Sequence, residues 1–94
     1  MPRPGDRLSR LVPTFDIRVV VLAPGGERAY KEAEWRDALV VLERGDIDLE
    51  SVGGSRHHFR SGDVLWLSGL PLRALHNYGP APALLVAVSR RRLK

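Results

Sequence analysis

The chain has 94 residues and no cysteine, with 44% hydrophobic and 28% charged residues. That length predicts one domain with a modest core, and the composition is too apolar for a disordered chain. The lack of cysteine excludes a disulfide scaffold, thiol catalysis and cysteine-ligated metal, and it fits a cytoplasmic location.

The net charge of +4 is unevenly placed. Residues 1–10 carry Arg3, Arg7 and Arg10 against Asp6, and the chain ends with Arg90, Arg91, Arg92 and Lys94. Between them, residues 11–89 hold eight basic and ten acidic residues. The body is therefore slightly acidic, without the basic face that is the footprint of nucleic-acid binding. No stretch approaches the ~20 apolar residues of a membrane span. The start, MPRPGDRLSRLVP, lacks the apolar stretch of a signal peptide.

Three prolines among residues 1–13 predict an irregular arm. Phe15 to Leu22, FDIRVVVL, reads as a strand that ends at the turn Pro24-Gly25-Gly26. Arg28 to Lys31 returns as a short strand. Lys31 to Asp37, KEAEWRD, suits either a helical turn or an exposed strand. Ala38 to Glu43 is a strong strand, and Arg44-Gly45 turns the chain. Asp46 to Val52 alternates strictly, with Ile47 and Leu49 on one face and Asp46, Asp48 and Glu50 on the other. Gly53-Gly54 turns into the short strand Arg56 to Phe59.

Ser61-Gly62-Asp63, Gly69-Leu70-Pro71 and residues 78–82 are turns. They separate three further strands, Val64 to Leu67, Leu72 to Asn77 and Ala83 to Val88. Short apolar runs at close, regular spacing predict an antiparallel barrel or sandwich. ALLVAV, at 83–88, is apolar on both faces, which predicts a second buried surface supplied by the arm or by a second subunit.

Two pieces together resemble the cupin superfamily. The first is ALVVLERG, at 38–45, followed by the acidic alternating strand; the second runs from Gly62-Asp63 through Gly69-Leu70-Pro71 to Asn77-Tyr78-Gly79 and the last apolar run. The resemblance covers roughly residues 15–89 and implies a double-stranded β-helix, or jelly-roll, barrel of antiparallel strands. It divides the chain into an arm over 1–13, a barrel over 14–89 and a basic tail over 90–94. It also implies a homodimer, since such barrels commonly pair through their sheets.

The departures bear on function. Cupin metal ligands are two histidines and a glutamate in the first motif and a histidine in the second. Seven residues before Gly45 stands Ala38 in the glutamate's place, and 31–34 holds no histidine. Four residues before Asn77 stands Arg73, while counting from Gly69 gives Leu72, a one-residue ambiguity. The usual metal site is therefore expected to be lost.

Arg73, Leu75 and Asn77 share one face of a strand, and the resemblance places that face in the barrel. An arginine there offers fixed donors to a carboxylate or phosphate. Arg73 is thus the candidate anchor for a small anion, with Asn77, Trp35 and Trp66 nearby. The plainer reading is an ion pair of Arg73 with Glu32 or Glu34, or an arginine reaching the barrel rim. His57 and His58 are adjacent and point to opposite faces, and His76 faces out if Arg73 faces in. A relocated zinc, nickel, manganese or iron site would use His76 with His57 or His58 and a carboxylate such as Glu43.

Three readings follow. The first is a metal-free binding module for a small molecule in the barrel. The second is a small isomerase or oxygenase with a relocated metal or metal-free acid–base chemistry. The third is an interaction homodimer whose barrel is filled by Leu65, Leu67 and Leu75.

Overall fold

A computed structural model of the chain describes residues 15–90. The arm expected over 1–13 lies outside that range, as does the tail beyond Arg90. The described elements are β1 (Phe15–Leu22), β2 (Glu27–Ala29), α1 (Glu32–Trp35), β3 (Ala38–Arg44), β4 (Asp46–Ser51), β5 (Arg56–Arg60), β6 (Val64–Trp66), β7 (Leu72–His76) and β8 (Ala83–Arg90). The ambiguous segment after β2 is a single helical turn. The last strand runs two residues past the expected Val88, to Arg90, which pairs with Phe15.

The strands form two antiparallel four-stranded sheets. The first has the order β1-β8-β3-β6 and the second β2-β7-β4-β5. β1 and β8 pair along all eight residues, from Phe15 opposite Arg90 to Leu22 opposite Ala83. Both strands are rich in β-branched or aliphatic residues on both faces, which suits a strand shielded on two sides. One set turns inward: Val20, Leu22, Leu85 and Ala87 are buried. The other set, including Val19 and Val21, points away from the core and is exposed.

The core lies between the sheets. Val40 and Leu42 from β3, Ile47 and Leu49 from β4, Leu75 from β7 and Leu85 from β8 are at most 3% exposed. Each fully buried leucine or isoleucine contributes ~1.5–3 kcal/mol through area removed from water. The alternation of β4 holds as written: Ile47 and Leu49 enter this core while Asp46, Asp48 and Glu50 stay half-buried on the far face.

Gly45 is where the chain crosses from one sheet to the other. Its φ is +77°, and a Cβ there would lie 2.7 Å from the Pro82 carbonyl oxygen and 2.9 Å from the Ala83 Cα. Glycine supplies both the left-handed backbone and the close approach of the segment entering β8. Among the described residues, no helix is long and apolar enough to cross a membrane.

Candidate functional site

The space between the sheets is occupied by side chains. Leu65 and Leu67 join the buried cluster with Leu75 and fill the lumen. Position 38 contributes a buried alanine, and Arg73 at the second-motif position is exposed. The carboxylates of 31–34 are already engaged. Glu32 accepts a hydrogen bond from the Tyr30 hydroxyl at 2.6 Å, and Glu34 pairs with Arg28 at 2.7 Å. Without an imidazole at any of these positions, the lumen residues do not fit the family's metal.

At one end of the barrel, its mouth, the inward residues of β1 and β8 become polar, and a cleft of about 210 Å³ is lined by residues that include Asp16, Arg18, Glu34, Arg36 and Ser89. Arg18 donates to the Glu34 backbone carbonyl, and its guanidinium lies 5.3 Å from the centre of the Trp35 ring. Around this mouth, Arg18 Nε, Arg28 Nε and Trp35 Nε1 are buried without a hydrogen-bond partner among the described residues. Hydrogen bonding to Tyr30 holds the Glu32 carboxyl below its ordinary value. Burial, with Glu32 beside it, pushes the Tyr30 hydroxyl up.

Outside the lumen, the far face of the second sheet carries a second polar group. His76 on β7 sits opposite Glu27 on β2 and opposite Asp48 on β4. Its Nε2 is 2.8 Å from Glu50 Oε1, and its Nδ1 is 3.4 Å from Glu27 Oε1. The residue is only 6% exposed, and Tyr78 stacks on its ring at 5.3 Å and 8°. The Arg56 guanidinium lies 5.3 Å from the centre of the Tyr78 ring and donates to its hydroxyl. The hydrogen bond from His76 is the main cause that holds the Glu50 carboxyl below its ordinary value.

The residues expected to form one ligand site are not brought together. Arg73 does not enter the lumen; it is exposed and donates to the Val52 carbonyl at 3.1 Å. The physical reason is an irregularity between β4 and β7. Glu50 pairs with Ala74 and Ser51 with Leu72, so Arg73 is the extra residue of a bulge and is turned out. Nor does Arg73 pair with Glu34; Arg28 takes that role, with Arg18 at 4.0 Å. Asn77 is fully buried and spends its side chain on the fold. It donates to the Leu22 and Ala81 carbonyls and accepts from the Gly79 N–H. Trp35 is buried in the core, while Trp66 is 53% exposed on the outer face of the first sheet.

The expected histidine set is not brought together either. His57 is exposed opposite Leu49, and His58 is held by Asp48 at 2.5 Å. His76 meets Glu27 and Glu50 rather than Glu43.

The outer face of the first sheet is apolar across all four strands. Ile17, Val88, Leu39 and Trp66 lie side by side in one registered row. Val19, Val86, Val41 and Val64 form the next row, and Val21 stands opposite Leu84 beyond it. Ile17, Val19, Val21, Leu39, Val64 and Trp66 are each 45% to 62% exposed.

No family model matches the sequence, and no curated protein matches it. Solved structures do. A sugar phosphate isomerase of the cupin superfamily from Silicibacter pomeroyi is 27% identical, over 96% of this chain and 57% of that one, with a TM-score of 0.63. The chain is a small cupin-type barrel. A Cupin 2 conserved barrel domain protein from Salinispora arenicola is 25% identical over 94% of this chain and 68% of that one, at a TM-score of 0.63. The Cupin_2 domain of an XRE family transcriptional regulator from Enterobacter cloacae is 18% identical over 86% and 84%, at 0.62. This cupin barrel therefore spans little more than half the length of the isomerase.

Proposed function

We propose that this cupin barrel is an interaction module, a homodimer joined through the outer face of its first sheet, with a lumen closed to ligands. The observation that carries the reading is the pair of registered apolar rows across β1, β8, β3 and β6. A continuous exposed apolar patch of this kind marks an interaction surface. A second copy is the fitting occupant. The rows hold no charge that calls for a complementary partner, and two copies related by a two-fold axis lay the same rows across each other, as in aligned sheet packing. The buried leucines between the sheets support a closed lumen. Sedimentation velocity on the full chain tests the reading: a dimer is expected, and a monomer at micromolar concentration overturns it.

A second reading keeps the small-molecule site but moves it to the mouth. Arg18 takes the part expected of Arg73, lining the cleft with a buried Nε that has no partner among the described residues. A carboxylate or phosphate held there would take up donors that the fold leaves unused. The isomerase-type neighbour makes sugar phosphates the first compounds to screen. They are expected to raise the melting temperature of the wild-type chain and not of Arg18→Ala. Equal shifts in both would remove this reading, and isomerisation of those compounds would make the module an isomerase.

A further inference from the structure

We propose that Glu27, Glu50 and His76 bind one divalent transition-metal ion on the outer face of the second sheet. One oxygen from each carboxylate and one imidazole nitrogen lie within 4.8 Å of one another. Three neighbouring strands, β2, β7 and β4, hold them, so the sheet itself fixes their spacing. No lumen residue takes part, and the site is separate from the mouth cleft.

Two of the donors are already set. His76 Nε2 and Glu50 Oε1 are 2.8 Å apart. That is close to the ~3 Å between neighbouring ligands of an ion with bonds of ~2.0–2.2 Å. Both side chains are shielded, at 8% and 17% exposure, and Tyr78 roofs the imidazole. Shielding strengthens the attraction of the carboxylates for a dication relative to the same groups fully in water. Glu27, at 64% exposure, is the ligand free to swing in and close the shell. Asp48 is not available, because His58 holds it. Two carboxylates balance the charge of the ion, and the one-nitrogen, two-oxygen set suits zinc, manganese, iron or cobalt. Arg56 and Arg73 act on Glu50 and compete with the ion for it.

The test uses the full chain, dialysed against zinc and then against buffer, with bound metal counted by mass spectrometry. Cobalt(II) serves as a spectroscopic probe of coordination. One zinc per chain is expected, with a cobalt visible band that changes in Glu50→Gln. Glu27→Gln is expected to weaken zinc at least tenfold. Glu27 is exposed, so its replacement does not threaten folding. Zinc well below one per chain overturns the proposal. So does equal zinc affinity in the wild type and Glu27→Gln, which would leave the three residues as an ion pair that only fixes the imidazole.

Discussion

The two sheets of this barrel present the same strand geometry to the outside and treat it in opposite ways. On the first sheet, the outward residues of β1, β8, β3 and β6 are valine, isoleucine, leucine and tryptophan in register. On the second, the outward residues include Glu27, Asp48, Glu50, His58 and His76, paired across strands by hydrogen bonds and ion pairs, and Arg56, which donates to the Tyr78 hydroxyl. Away from the mouth, the inner faces of both sheets are alike and apolar. The inner faces are fixed by the need for one core. The outer faces are free to differ, so the difference between them is the better guide to function. A charged face that satisfies its own groups is complete in water. An ordered apolar face is complete only when something covers it.

The largest effect is expected from a charge placed in the apolar rows. Val86→Glu puts a carboxylate at the centre of the proposed interface, twice per dimer. Leaving a buried charge unpaired costs ~3–5 kcal/mol, so the dimer dissociation constant should rise by at least about two orders of magnitude for the first carboxylate alone and further for the second. Arg60→Glu, on the outer face of the second sheet opposite Asp46, is the matched control and should leave the sedimentation coefficient unchanged. Dissociation caused equally by both changes would break the comparison, since the two faces would then not differ in what they do. Next comes the shared inner face. Leu75→Ala removes a fully buried side chain that meets Leu49 across the strand pair. A loss of ~2–5 kcal/mol of unfolding free energy is expected in denaturant. A loss below 1 kcal/mol would mean that the lumen is loosely filled and open to a ligand.

Much of this architecture is readable from the residues. FDIRVVVL before Pro-Gly-Gly is β1, residue for residue, because β-branched residues and a strong turn leave few alternatives. The strict alternation of DIDLES assigns the inner and outer faces of β4 without any pairing information. The doubly apolar ALLVAV announces a second surface in need of cover. What pattern could not supply is register. Arg73 belongs by parity with Leu75 to the lumen, and one bulged residue between β4 and β7 reverses it. The ambiguity of one residue between Gly69 and Asn77 was the only trace of that bulge in the sequence. Trp66 is outward because Leu65 and Leu67 are both buried, a parity that the run VLWL already contains. Arg18, by contrast, looks like one polar interruption in a strand. Its inward position at the barrel mouth depends on where the β1–β8 pairing stops being apolar. The meeting of His76 with Glu27 and Glu50 depends on two separate strand pairings, and no local motif signals it.

The smallest effect sharpens the polar side of the comparison. The hydrogen bond from His76 holds the folded-state pKa of the Glu50 carboxyl below its ordinary value. A carboxyl depressed in the folded state contributes stability above its unfolded pKa, and that contribution is lost as pH falls toward the folded one. In chelator, the melting temperature of the wild type should therefore exceed that of Glu50→Gln by most near pH 7. The gap should close as pH drops below about 4.3, the ordinary value for glutamate. The variant retains a hydrogen-bonding amide in the same place, so the closing gap reports the charge rather than the packing. Parallel curves would show that the pair adds no pH-dependent stability. The outer face of the second sheet would then be held by strand pairing alone, and the carboxylates around His76 would have no structural task to explain them.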